Sequence, residues 1–299
     1  MLQRSLTALV GIPVLLGAVW LGAPWLTVLV LVAGVAGVWE GYRMTPASVG
    51  PLPVVLGAAW VVALLLGAQA ASGRDNFLII SGGVIAAGSF ASLLWFIAFY
   101  RSGGSRSDGG AGFGSFLAGF CYLMGGPLYV GFLLAHALML REITEAGVMG
   151  FGPTGLEIER AADLGRNWLL SAVLITFATD TGAYLVGRAV GSRPMAPNIS
   201  PNKTWEGSLG GFAAAVAAAL ALGVLFDLGI AAWQQAVIGG VVGVVAQWGD
   251  LMESKLKRIA EVKDTGSIIP GHGGLLDRLD SMLFSLPAVY YLLTTVFAP

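Results

Sequence analysis

Apolar runs dominate this chain and recur at a length that fits a bilayer. A helix needs about 20 apolar residues to cross the hydrocarbon core. Nine stretches meet that need: roughly 6–22, 25–41, 52–71, 77–99, 113–139, 168–187, 208–226, 231–249 and 279–298. The pattern predicts an all-α polytopic integral membrane protein with about nine transmembrane helices. The fifth run contains Gly125-Gly126-Pro127, which predicts a kink or a break, with room for a re-entrant piece. The first two runs read as a retained hairpin and not as a signal peptide, because the second starts only a few residues after the first.

Polar stretches divide these runs. Gly103–Gly112, "GGSRSDGGAG", has the composition of a flexible linker. It separates an N-terminal block, 1–110, of about four helices from a C-terminal block, 111–299, of about five. The second block carries cytoplasmic loops at 188–207 and 250–278, and nearly every unusual polar residue. Composition agrees with the membrane reading: 56% of residues are hydrophobic and 11% charged, against roughly 25% charged in a soluble domain. The 44 glycines suit close helix packing in lipid. One cysteine, Cys121, excludes an internal disulfide and any Cys-based metal or redox motif.

The net charge of −1 identifies no partner, and nothing points to nucleic acid. The position of the charges is informative. Of the 16 Lys and Arg residues, Arg74, Arg141, Arg160 and Arg166 fall on one side of a nine-span topology and the other twelve on the opposite side. The positive-inside rule then puts the N-terminus and the basic loops in the cytoplasm, at the cell (inner) membrane. The outer loop from Arg141 to Asn167 is acidic, lacks His and Cys, and is assigned no chemistry.

Three polar clusters fall on the cytoplasmic side. Asp180, in "FATDTGAYLVGR", lies inside an expected span, where a carboxylate is costly and normally faces a partner, a cavity or an ion; helix packing with Arg188 or a backbone group as partner is the bland alternative. In "NISPNKTWEGSLGG", Ser200, Asn202, Lys203 and Thr204 form a donor-rich loop before a helix opening at Glu206-Gly207, a ready anion site without Walker glycine spacing. The third cluster continues the eighth span. If it stays helical, Asp250, Ser254, Lys257 and Arg258 share one face at offsets of four, seven and eight. Lys263 and Asp264 follow. Then Pro270-Gly271-His272-Gly273-Gly274 breaks the helix and brings backbone N–H groups close to anything bound there. A helix resumes at "DRLDSM", where Asp277, Asp280 and Ser281 share a face beside Arg278. Carboxylates without His or Cys clusters favour a hard cation such as Mg²⁺, which uses one or two carboxylates plus substrate phosphates. Lys and Arg would hold the remaining phosphate charge. The chemistry indicated is a metal-dependent phosphoryl or nucleotidyl transfer at the inner face of the membrane.

The stretch Ser254 to Asp280, S-K-L-K-R-x4-K-D-x-G-x2-I-P-G-H-G-G-L-x-D-R-L-D, resembles the signature of the phosphatidate cytidylyltransferases. "SPNKTWEG" and "DTGAYLVGR" look like that family too, in the expected order. The convincing resemblance covers about 170–285. It implies that CTP and phosphatidate, drawn from the bilayer, give CDP-diacylglycerol and pyrophosphate. It also implies Mg²⁺, K⁺ as a second cation, and a homodimer. Residue by residue, it implies Asp250 and Asp277 as metal ligands with Asp280 beside them. Lys257, Arg258, Lys263 and Arg278 would line the phosphates, with Asp264 in the catalytic set. His272, Gly271, Gly273 and Gly274 would shape the triphosphate loop. Ser200, Asn202, Lys203, Thr204 and Asp180 would approach the substrate. Two rival readings stand beside it. A cation-coupled transporter could use Asp180 and Asp250. A CDP-alcohol phosphotransferase would need a D-G-x2-A-R pattern, which the chain lacks.

Overall fold

The computed structural model describes residues 2–44, 51–99, 120–121, 123–143, 155–269 and 273–297. Helices account for nearly all of it: α1 (Leu2–Leu21), α2 (Trp25–Arg43), α3 (Pro51–Ala70) and α4 (Arg74–Phe99), then α5 (Leu123–Arg141) and α6 (Gly155–Val190). A short antiparallel hairpin, β1 (Pro194–Ala196) and β2 (Ser200–Thr204), precedes α7 (Trp205–Leu225), α8 (Ala232–Ile259) and α9 (Leu276–Tyr291). Among the described residues, eight helices are long and apolar enough to cross a membrane, and α1 adds the shorter apolar stretch Leu9–Leu21. The expected all-α polytopic architecture is what the chain forms. The linker at 103–112 and the 110/111 block boundary lie outside the described residues.

Burial follows membrane logic. Val61, Leu65, Leu138, Ile175, Val242, Leu283 and Val289 are packed inside, whereas Ile79, Phe90, Ile97, Val224 and Trp248 face outward. Outward apolar side chains meet lipid tails, so the interior must be held by close packing more than by apolar burial. The closest pairing, α6 with α7, shows how. A Cβ added at Gly211 would lie 2.8 Å from the Thr179 carbonyl oxygen, and one at Gly207 would lie 2.8 Å from that of Ala183. Only glycine lets these backbones touch.

Three expectations are corrected. The fifth apolar run does not break at Gly125-Gly126-Pro127. Gly126 keeps right-handed helical angles (φ −56, ψ −59), and Pro127–Phe132 forms a wider, π-type turn that continues into Leu133–Arg141. A proline at the start of a wide turn removes a hydrogen bond the turn does not need. The stretch read as an outer loop up to Asn167 is helical from Gly155, so α6 is 36 residues long. Lys203 lies on a strand and not in an irregular loop: β2 pairs with β1 in the register Pro194 with Thr204 and Ala196 with Ser200.

Candidate functional site

The three polar clusters singled out in the sequence converge where α6, β2, α7, α8 and α9 end together. Thr204 caps α7, its Oγ1 accepting the Gly207 N–H at 3.1 Å. That cap fixes the strand-to-helix corner that carries Lys203. Lys203 Nζ reaches across to Asp250 Oδ2 at 2.6 Å, and Ser254 Oγ donates to Asp250 Oδ1 at 3.3 Å, one turn further along α8. This pair borders a cavity of about 490 Å³. Asp180, Arg188, Asn202, Lys203, Thr204 and Asp250 all line it. Ser200 does not; it begins β2 opposite Ala196. Arg188 donates to the Tyr184 hydroxyl at 2.9 Å. Asp180 lies within electrostatic reach of Lys203, Asp250 and Asp280, and no ion pair between it and Arg188 is seen among the described residues.

The second half of the site is closed. α8 stays helical through Ile259, as the offsets required. Lys257 Nζ lies 2.7 Å from Asp277 Oδ1 and 3.0 Å from Glu253 Oε1. Asp277 Oδ2 accepts three further hydrogen bonds: from the Thr265 N–H at 3.0 Å, the Thr265 hydroxyl at 3.0 Å and the Gly274 N–H at 2.8 Å. Asp277 thus sits at the start of α9 and ties the preceding loop to it. Gly273 has φ +84, a conformation L-residues rarely adopt. A Cβ there would also lie 3.0 Å from Asp277 Oδ2. Asp280 Oδ1 accepts the Ser281 N–H at 2.6 Å. Gly249 lets α8 reach this turn, since a Cβ there would sit 2.8 Å from a Phe284 ring carbon.

The remaining candidates are more peripheral. Arg258 is exposed and its Nε donates to the Ile199 carbonyl at 3.2 Å, linking the end of α8 to the hairpin. Lys263, Asp264 and Arg278 are exposed on the same side. Gly271 and His272 lie outside the described residues.

The sequence reading missed three side chains. Glu253 is fully buried, and its Oε2 has no hydrogen-bond partner among the described residues. Its position four residues before Lys257 was the signal that could have found it. Thr265 is buried between two carboxylates. Glu40, from α2, is the other carboxylate, and no local pattern marks it.

Acidic side chains outnumber basic ones around the site. Asp180, Asp250, Glu253, Asp277 and Asp280 form a connected network of acids. The ion pairs inside it come from Lys203 and Lys257. Five acidic side chains gather around two ammonium groups, with Arg188 on the cavity wall. Every acidic donor is an oxygen, which suits a hard cation. The trio Asp250, Asp277 and Asp280 is not gathered into one cage: among the described residues, no group of three or more His, Cys, Asp or Glu side chains could hold a metal ion alone. A cation here would complete its shell with ligand oxygens, as Mg²⁺ does with phosphates.

The fold defines an all-α polytopic integral membrane protein, with a polar cluster gathered at one end of its C-terminal helices. The chain belongs to the cytidylyltransferase family, whose sequence model matches residues 2–296 and so takes in the N-terminal helices as well. Among curated proteins, it is 44% identical over 132 residues to a phosphatidate cytidylyltransferase of Staphylococcus saprophyticus, covering 44% of this chain and 51% of that one. It is 44% identical over 138 residues to the protein of that name from Bacillus subtilis, covering 46% and 51%. With the Staphylococcus epidermidis protein of that name the identity is 42% over 159 residues, covering 53% and 58%. The chain spans about half the length of the curated relatives it matches.

Proposed function

We propose that this protein transfers the cytidylyl group of CTP to phosphatidate, releasing pyrophosphate and leaving CDP-diacylglycerol in the membrane. The observation that carries this reading is the Lys203–Asp250 pair bordering a cavity beside an excess of carboxylates. A phosphate oxygen of the lipid attacks the α-phosphorus of CTP, and the bond from that phosphorus to the β-phosphate bridging oxygen breaks. Phosphomonoesters have a second pKa near ~6, so the nucleophile is largely ionised at neutral pH and no general base is required. The protein's task is to bring two anions together and hold them in line.

An acid-rich site would repel both substrates on its own. Asp250, Asp277 and Asp280 would hold Mg²⁺, with K⁺ as a second cation, and Mg²⁺ when bound offsets phosphate charge and stabilises the pyrophosphate leaving group. Lys203, at the cavity, is placed to meet a phosphate by exchanging its partner. Lys263, Arg278 and Arg258 lie on the approach side. Neither the fold nor the relatives favour a transporter.

The test is incorporation of radiolabelled CTP into chloroform-soluble lipid by purified protein given phosphatidate. Activity should vanish with EDTA and return with Mg²⁺. Label that stays in the aqueous phase under all conditions would refute the reading. The orientation proposed puts the N-terminus and the site in the cytoplasm at the inner membrane, and the site works within a homodimer. A reporter active only in the cytoplasm should be silent when fused after Pro299; a signal there would reverse the topology.

A further inference from the structure

Glu40 lies near the end of α2, in the N-terminal block, and is 0% exposed. Its Oε2 accepts the Leu276 N–H at 2.9 Å and lies 3.2 Å from the Thr265 hydroxyl. These partners stand 236 and 225 residues away in sequence. They bracket the loop between α8 and α9: Thr265 on its way in, Leu276 at the first residue of α9. Glycines shape the socket around the carboxylate. A Cβ at Gly274 would lie 2.7 Å from Glu40 Oε2, and one at Gly266 would collide with Oε1. Tyr42, half a turn on, anchors the same end of α2 by donating to the Leu123 carbonyl at 2.7 Å.

The contact continues into the site. The Thr265 hydroxyl has a single proton, yet it lies 3.0 Å from Asp277 Oδ2 as well as 3.2 Å from Glu40 Oε2. One donor therefore stands between a carboxylate of the N-terminal block and the carboxylate that pairs with Lys257. Asp277 is held from the other side by the Gly274 N–H, and Gly274 packs on Glu40. Any displacement of Glu40 moves two of the groups that aim Asp277.

We propose that Glu40 is a positioning residue for the nucleotidyl-transfer site: it grips the α8–α9 loop at Thr265 and at its junction with α9 and, through Thr265 and Gly274, sets where the Asp277 carboxylate points. The N-terminal helices then serve the chemistry directly and are more than a membrane anchor. The inference rests on the cytidylyl-transfer reading for its kinetic consequence, but not for the clamp itself.

The experiment separates the two. Hydrogen exchange in detergent is measured on wild type, Glu40→Ala, Glu40→Gln and Thr265→Val. In Glu40→Ala, peptides spanning 261–276 should exchange roughly tenfold faster or more, while α3 and α4 peptides stay unchanged. In parallel, CDP-diacylglycerol formation is titrated with Mg²⁺. Glu40→Ala should raise the Mg²⁺ half-saturation about tenfold, with the phosphatidate KM changed by less than about threefold, since only the aim of one carboxylate is disturbed. Glu40→Gln keeps a buried oxygen acceptor and should recover most of both properties. The Glu40→Ala, Thr265→Val double variant should lose less than the sum of the two singles, because they share the Thr265 hydroxyl; strict additivity would overturn that link. Unchanged loop exchange in Glu40→Ala, faster exchange spread equally over all helices, or a Glu40→Gln protein as impaired as Glu40→Ala would each overturn the proposal. If wild type makes no CDP-diacylglycerol, the functional reading fails, and the exchange data alone still decide whether Glu40 is the clamp.

Discussion

Two lysine–carboxylate pairs lie along the same end of α8, and distance does not tell them apart. Lys203–Asp250 measures 2.6 Å and Lys257–Asp277 measures 2.7 Å. Their surroundings do differ. The side chains of the first pair are 25% and 33% exposed and border the cavity, so water reaches Asp250 although the Lys203 Nζ itself is covered. Those of the second are 17% and 6% exposed, with a third, fully buried partner in Glu253. An ion pair with access to water contributes little and can be exchanged, whereas a buried one is costly to break because the survivor is left uncompensated. The open pair is therefore suited to handling substrate, and the closed pair to holding the loop that shapes the site.

The sharpest way to break this comparison is to remove the lysines. Lys257→Ala leaves Glu253 and Asp277 buried without their cation. It should cost about 3–5 kcal/mol, visible as a large drop in the thermal transition in detergent together with lost turnover. Lys203→Ala leaves an acid that water can reach. It should cost ~1 kcal/mol or less, while turnover falls or the CTP or phosphatidate requirement rises. Equal destabilisation by the two substitutions would erase the distinction between open and closed pairs.

A smaller effect should separate the carboxylates. Asp277→Asn and Asp250→Asn keep size and remove charge, and both should abolish CDP-diacylglycerol formation at ordinary Mg²⁺. Asp277→Asn should also lower stability by about 1–3 kcal/mol, because an ionised acceptor of several hydrogen bonds becomes a neutral amide. Asp250→Asn should melt near wild type. Substantial activity in either variant would remove that residue from the site. A stable Asp277→Asn protein would show that the loop is held elsewhere, with Glu40 the first place to look.

These residues were not equally legible in the sequence. The face Asp250, Ser254, Lys257 follows from helical spacing alone, and α8 keeps that spacing to Ile259. The spans follow from apolar length. What escaped was each feature that depends on a distant partner. Glu40 ends an apolar run like any interfacial acid, and its meaning lies in backbone groups more than 200 residues on. Lys257 reads as a phosphate ligand until the loop returns Asp277 to it. Gly125-Gly126-Pro127 carries a local signal for a break, but packing of α5 against α2, α3 and α9 keeps the helix going through a wider turn. The strand bearing Lys203 contains Pro201 and Asn202, both poor strand formers, so only pairing with β1 defines it.

The smallest expected effect concerns Arg258, which lies between the two pairs in character. It follows Lys257 in sequence, yet it is exposed, and its Nε donates to the Ile199 carbonyl at 3.2 Å. That bond spans from the end of α8 to the turn between β1 and β2, the hairpin that delivers Lys203. It uses one of five guanidinium donors, so the others stay available to a phosphate. No buried acid depends on Arg258 for its charge balance, unlike Glu253 on Lys257. Arg258→Gln should therefore leave the thermal transition at the wild-type value. It should raise the KM for CTP by roughly three- to tenfold, the loss of one exposed charge-assisted contact, with kcat less affected. Steady-state kinetics at saturating phosphatidate would check this. A melting loss like that of Lys257→Ala would move Arg258 into the closed, loop-holding group. An unchanged KM would leave it only the task of tethering the hairpin.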